Sequence, residues 1–319
     1  TPNAIVDPQA VTNALQQVDQ TKGDLNGNDN LHDAQQQAST MIDGLPNLNP
    51  AQKAALKEQV NQAGLVPSVD QIKQTANELN TAMGNLNQTL QANIQVPQTT
   101  DYTQASTDKQ TAYDNAVEQA QQVVNGNQVV QLSPDAVNQM TNAINHAKDD
   151  LNGDENLRKA KQNATTAVDG LTSLNEAQRD QLKQQIAQAQ TLPDVDTTKN
   201  KATTLNDAMH TLRDSISNVS NIKTSQNYTD ANQNLQDAYN RQVDNANGII
   251  NPIASPTMDP DAITQAATQV TTAEKALNGT ENLRHAQQDA LTHLDHLSHL
   301  TDAQKADITQ QINQATHVS

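Results

Sequence analysis

One step length governs this chain. Leu25-Asn26-Gly27 recurs as Leu151-Asn152-Gly153 and as Leu277-Asn278-Gly279, each time 126 residues on. Pro8-Gln9-Ala10 returns as Pro134-Asp135-Ala136 and Pro260-Asp261-Ala262 at the same step. Leu48-Asn49-Pro50-Ala51-Gln52 returns at Leu174 to Gln178 and at Leu300 to Gln304, and Tyr102 and Tyr113 return as Tyr228 and Tyr239. No insertion or deletion separates these pairs, so the 319 residues hold about two and a half copies of one 126-residue unit. Solenoid repeats are about 20–50 residues long, so a unit of this length is one or two small domains.

Composition narrows what such a unit can be. Asp and Glu number 36 against 19 Lys and Arg, giving a net charge of -17, which repels phosphate backbones and argues against nucleic acid as partner. There is no Cys, hence no disulfide, thiol nucleophile or thiolate-held metal. No run of 18 apolar residues occurs, so no segment predicts a membrane span. Aromatics are 1% of the chain, all tyrosine, so the core must be built from Ala, Leu, Val and Ile.

The apolar spacing is helical. Val137, Met140, Ile144, Ala147 and Leu151 step by three and four; their copies are Val11, Ala14, Val18, Leu25 and Ile263, Ala266, Val270, Ala273, Leu277. The longest seam reads Ala202, Leu205, Met209, Leu212, Ile216, Val219, and its earlier copy Ala76, Leu79, Met83, Leu86, Leu90. Each helix thus carries a narrow stripe suited to bundle packing. Ser133-Pro134 and Asp259-Pro260 predict N-caps, and Asn49/Gln52, Asn175/Gln178 and Thr301/Gln304 predict capping boxes. Gly44-Leu45 and Gly170-Leu171 predict left-handed helix ends, and Pro67 and Pro193 are expected to stop the helices before them.

The middle copy reads as five helices, roughly 134–152, 155–171, 175–190, 195–222 and 228–248. Five helices make two three-helix bundles only if one is shared. The fourth, about 28 residues and roughly 40 Å long, is the one that can serve both. The expected fold class is all-α, tandem three-helix bundles joined end to end into an elongated rod. The alternative is a hinge near Ser217 to Thr224, where Asn, Ser and Thr accumulate.

Tyr113-x3-Val117-x2-Ala120 followed by Val137 to Leu151 resembles a FIVAR module, within 102–151 and again within 228–277. Leu174-Asn175-x-Ala177-Gln178, Ile186-x2-Ala189 and Leu205-Asn206-x-Ala208-Met209 resemble a GA-type module, as does Leu79-Asn80-x-Ala82-Met83 in 31–90. The alternation at one period is similar to the repeat region of giant staphylococcal surface proteins. The resemblance divides the chain into the last helix of an incomplete FIVAR module (1–27), a GA-type bundle (28–97), a FIVAR bundle (98–153), a second GA-type bundle (154–223), a second FIVAR bundle (224–279) and an incomplete GA-type module (280–319). It implies a wall-attached adhesin whose partner is a host extracellular-matrix protein, fibronectin in particular, bound through many weak contacts by a monomeric rod. GA modules elsewhere bind serum albumin, but no motif here carries those contact residues over. The opening residues lack the basic and apolar regions of a signal peptide and the end lacks a wall-sorting pattern, so an exported chain would be an internal segment.

Candidate sites are few. His293, His296 and His299, with His285 and Asp295 or Asp302, have spacing for zinc, yet the first three positions hold Met41, Gly44, Asn47 and Ala167, Gly170, Ser173 in the other copies. Asp24-x-Asn26-x-Asn28 and Asp150-x-Asn152-x-Asp154 begin like a calcium loop, but the third copy offers Ala276-x-Asn278-x-Thr280. The duller reading is a turn in which Gly27, Gly153 and Gly279 end one helix and Asn28, Asp154 and Thr280 cap the next, with Asp29, Glu155 and Glu281 on the dipole. No metal, cofactor or catalytic residue is assigned, and no recurring nucleophile–base pair suggests an enzyme. Tyr102, Tyr113, Tyr228 and Tyr239 fit either an exposed binding stripe or buried seals at bundle ends. The composition also fits a second function, a mechanical spacer with no ligand of its own.

Overall fold

The seams and caps above form helices in the computed structural model, which describes residues 7–126 and 130–319. Residues 1–6, part of the export argument and of the 1–27 module, and 127–129 within the 98–153 module lie outside the described residues. Among the described residues every regular element is helical. The chain divides into two units, 1–154 and 155–319.

The first unit holds α1 (Pro8–Gly23), α2 (Gly27–Asp43), α3 (Pro50–Gln62), α4 (Val66–Ala92), a 3-10 turn (Val96–Gln98), α5 (Thr100–Thr103), α6 (Thr107–Asn125), α7 (Pro134–Asp149) and the start of α8 (Gly153–Asp169). Helix α4 is a shared spine. It packs against α2 and α3 on one side of the sequence and against α6 and α7 on the other. Its Val69, Ala76, Leu79, Ala82, Met83 and Leu86 are buried. They join Ile42, Leu56 and Val60 to Tyr113, Val123, Val137 and Ile144 in one continuous core. Each fully buried aliphatic side chain contributes about 1.5–3 kcal/mol, so a thin bundle with few aromatics is stabilised mainly through this seam.

The second unit continues α8 and adds α9 (Glu176–Gln188), α10 (Leu192–Ile216), α11 (Val219–Thr224), α12 (Gln226–Thr229), α13 (Gln233–Ile250), α14 (Pro260–Lys275), α15 (Gly279–Asp295) and α16 (Asp302–Gln314). Here α10 is the spine, packed on α9, α13 and α14. A single core again runs from Ala164 and Val168 through Leu205 and Met209 to Tyr239, Ile263 and Val270.

Four expectations are corrected. The helix expected over 195–222 stops at Ile216, with the chain resuming helix only at Val219. Ser215 and Ser217 hydroxyls donate to the Leu212 and Asp214 carbonyls, and Asn221 bonds Asn218; such local bonds compete with the helix ladder. The break therefore falls where the hinge alternative placed it. The helix expected over 228–248 is split, because the N–H of Asn232 is taken by the Asn278 side chain at 2.9 Å, as Ser106 is by Asn152.

Gly44 is right-handed at φ -77, its N–H bonded to the Thr40 and Met41 carbonyls, and His296, two steps on, has the same backbone conformation. Among the described residues the left-handed glycine is Gly126, at φ 66, after α6. Pro67 and Pro193 occupy first turns of the helices that follow them, where the missing N–H costs nothing.

The outer elements bury little. α1 has no buried residue: Val11, Val18 and Leu25 are 60%, 63% and 77% exposed, whereas their copies Val137, Ile144 and Leu151 are 0%, 0% and 8% exposed. α16 likewise buries no residue, and pairs with α15.

Candidate functional site

The most built parts of the molecule are the places where one bundle meets the next. Asn49 and Gln52 form the capping box of α3, with Asn49 Oδ1 accepting from the Gln52 N–H at 2.9 Å and Gln52 Oε1 accepting from the Asn49 N–H at 3.1 Å. Both side chains have amide protons left over. Asn49 Nδ2 donates to the Val123 carbonyl at 2.9 Å, and Gln52 Nε2 to the Gln131 carbonyl at 2.8 Å. The second unit repeats this with Asn175 to Ile249 at 3.1 Å and Gln178 to Thr257 at 2.8 Å. A helix cap is thereby also a strap from α3 to the end of α6 and the segment before α7. Sequence reading found the caps but missed the straps; the recurrence of a glutamine, not a glutamate, at this position was the available signal, since only the amide has protons to spare.

A second tie lies at the Leu-Asn-Gly motif. Helices α2, α8 and α15 begin at Gly27, Gly153 and Gly279, so these glycines open helices and do not end them, and Asn26 and Asn278 stand at the cap positions. A Cβ on Gly153 would collide with the carbonyls of Thr100 and Asp101; one on Gly279 would sit 2.5 Å from those of Gln226 and Asn227. Only glycine lets the helix start pass directly over the α5 or α12 backbone. Asp154 N–H donates to Asp101 and Thr280 N–H to Asn227. The calcium-like residues are thus spent on the junction: Asn152 and Asn278 hold backbone N–H groups, and Asp150 lies 3.9 Å from Lys109.

The tyrosines pack as pairs. Tyr102 and Tyr113 meet edge to face at 5.8 Å, and Tyr228 and Tyr239 at 6.1 Å. Tyr113 and Tyr239 are buried, and Tyr102 and Tyr228 half-buried, so no exposed stripe exists. The hydroxyls of the two buried rings are buried with them. Tyr113 Oη bonds the Asn93 carbonyl at 3.2 Å and Asn93 Oδ1 at 3.3 Å, while Tyr239 Oη has no partner; Val219, which stands where Asn93 stands one step earlier, offers no side-chain acceptor. Burial pushes the Tyr239 phenol up to about 12, and raises Tyr113 too.

His285, His293, His296 and His299 are exposed; His285 Nε2 is 2.8 Å from Glu281, and His296 Nδ1 lies 2.6 Å from its own helix carbonyl at Thr292. Among the described residues no three His, Asp or Glu side chains converge to hold a metal. Glu155, held by Arg158 and Lys159 in the first turns of α8, has its carboxyl lowered to about 2. No helix among the described residues is long and apolar enough to cross a membrane.

Spine-sharing bundles tied by glutamine straps and glycine crossings define a class: an array of alternating helical modules whose sites are structural junctions. The FIVAR domain model matches residues 82–152 and 208–278, and the GA module model matches 28–82, 154–208 and 280–319. The shared boundaries at 82 and 208 fall inside the spines α4 and α10.

The chain belongs to the family of repeat segments, alternating GA and FIVAR modules, found in staphylococcal extracellular matrix-binding proteins. It is 52% identical over all 319 residues to the extracellular matrix-binding protein ebh of Staphylococcus aureus strain MW2, and spans 3% of that protein. It is equally identical to EbhA of strain Newman, spanning 9% of it. The crystal structure of the 756–1003 domain of Staphylococcus aureus EbhA is similar, with TM-score 0.66 and 35% identity, covering 74% of this chain and 94% of that one.

Proposed function

We propose that this chain is a rod-forming repeat segment of a bacterial cell-wall-attached adhesin, non-enzymatic, that binds a host extracellular-matrix protein through weak contacts multiplied over many copies. Fibronectin is the partner the family resemblance implies. The observation that carries the reading is the strapped junction: Gln52 and Gln178 tie module to module in the same way in both copies, so each copy presents the same joined pair of modules. Linked weak sites gain effective concentration only when their geometry permits joint engagement. The matrix-binding names of the relatives support the same reading.

A second reading, a spacer that carries binding modules located elsewhere, is favoured by one observation. In the complete modules the buried glutamines Gln52 and Gln178, with Asn49 and Asn175, bond across the junctions and not into an open site. Surface plasmon resonance separates the two. Immobilised fibronectin should capture this chain weakly and a longer tandem array far more tightly. Silence from both, with an extended shape in small-angle scattering, leaves the spacer.

A further inference from the structure

We propose that the groove between the end of α4, the 3-10 turn and α6 docks a short basic, apolar peptide segment of a matrix protein; this rests on the matrix-binding reading above and adds to its repeated weak contacts one that belongs to a single copy. Leu90, Ile94, Pro97 and Val117 line the groove, with the edge of Tyr113, and Asp114 and Glu118 at the rim. Its volume of about 510 Å³ is within the usual range for sites that bind small groups. Ile94 is 56% exposed, an apolar side chain the fold leaves in water. Desolvating it and its neighbours favours an apolar occupant.

The charge around the groove selects what else the occupant carries. Between Lys73 and Lys148 the sequence has one Lys or Arg, Lys109, and one His, His146, against Glu78, Asp101, Asp108, Asp114, Glu118 and Asp135. Lys109 is directed to Asp150 at 3.9 Å; Asp114 accepts from the Tyr102 hydroxyl at 2.9 Å and Glu118 from Gln122, and among the described residues no cationic side chain is paired with either. A phosphate-bearing ligand is repelled, whereas arginine or lysine flanking apolar side chains completes both the floor and the rim. The second copy lacks the combination: Ile94, Pro97 and Asp114 are replaced by Ser220, Lys223 and Asn240. The groove is therefore a property of one copy, and the other copy supplies folded-compatible replacements for testing it.

The test uses the full chain and a dye-labelled pentapeptide of alternating leucine and arginine, with its leucine–glutamate counterpart, read by fluorescence anisotropy. The arginine peptide should bind and the glutamate peptide should not. Ile94→Ser with Pro97→Lys should weaken binding at least about tenfold. Asp114→Asn with Glu118→Gln should weaken it about threefold to tenfold, and added salt should mimic that loss. If the first variant loses helicity, the second, confined to exposed carboxylates, decides alone. Equal binding of both peptides, or wild-type affinity in the charge variant, overturns the proposal. Repeating the variants on immobilised fibronectin separates the two readings. A wild-type chain that fails to bind fibronectin but takes the peptide sinks the matrix reading only. Fibronectin binding unchanged by the variants sinks the groove only.

Discussion

Gln52 Nε2 donates to the carbonyl of Gln131, 79 residues away, at 2.8 Å, while its Oε1 accepts the N–H of Asn49. The side chain is fully buried, as is its counterpart Gln178. One residue therefore satisfies two half-buried backbone groups. Gln52→Ala strands both, and the expected cost is about 2–4 kcal/mol. Gln304→Ala removes a capping box that is exposed and has no strap, and should cost about 0.5–1 kcal/mol. Urea unfolding followed by far-ultraviolet circular dichroism checks the pair. Equal small effects would mean that the strap adds nothing to the cap.

The three junction glycines make opposite predictions from one motif. Replacing glycine by alanine inside a helix ordinarily stabilises by about 0.5–1 kcal/mol. Gly27 has no heavy atom near its missing Cβ, so Gly27→Ala should be neutral or stabilising within that range. Gly153→Ala and Gly279→Ala force a methyl into the backbone of Thr100–Asp101 or Gln226–Asn227 and should destabilise by about 1–3 kcal/mol. Melting temperatures of the three variants report the sign directly.

These two cases mark what the sequence makes legible. The spine helix was readable because Leu79, Met83 and Leu86 repeat at helical spacing, and so were the caps, because Asn49 and Gln52 act within three residues of each other. What Gln52 does with its second amide proton depends on where residue 131 arrives in space, and periodicity carries no such information. Gly153 was read as a helix end for the same reason. Its role is set by the carbonyls of α5, about fifty residues earlier, and not by its chain neighbours. The break after Ile216 was visible only as a cluster of Ser and Asn whose effect depends on competing hydrogen bonds.

The tyrosine pairs offer an internal comparison. Tyr113→Phe takes away the hydroxyl that bonds Asn93 Oδ1 and should cost about 1 kcal/mol. Tyr239→Phe removes a buried hydroxyl that has no partner, so it should be neutral or stabilising by up to about 1 kcal/mol. Val219→Asn, which restores the residue of the first copy, should reverse the ranking at Tyr239. Differential scanning calorimetry of the variants tests this, and an equal loss at the two tyrosines would mean that Tyr239 finds a partner in solution.

Alkaline pH reaches the same residue. An unfolded tyrosine ionises near about 10, and burial lifts Tyr239 to about 12. The folded state favours the neutral phenol. Its stabilising contribution is therefore complete below about pH 10 and is lost as pH rises through 12. Burial raises Tyr113, and burial with the Asp114 hydrogen bond raises Tyr102, in the same direction. Tyrosinate absorbance should develop late, together with loss of helical dichroism. A titration completed near pH 10 with helicity intact would place these rings in water.

Amide exchange should grade the chain from its spines outward. Protection requires that opening an amide also exposes buried apolar contacts. Around Leu79, Met83 and Leu86 in α4, and Leu205 and Met209 in α10, the core is continuous, so these amides should exchange slowest. α1 buries nothing, and its Val11 and Val18 face water, as does Leu25 just after it, so its 16 residues have little beyond the Asp7 cap to hold them helical. An isolated helix of that length is marginal. α16 keeps its capping box and contacts with α15 but has no buried residue, which places it between the two. Mass-spectrometric exchange should therefore rank α1 fastest, α15 and α16 intermediate and the two spines slowest. Protection in α1 equal to that in α7, whose copies of the same positions are buried, would show that its apolar face is covered in solution.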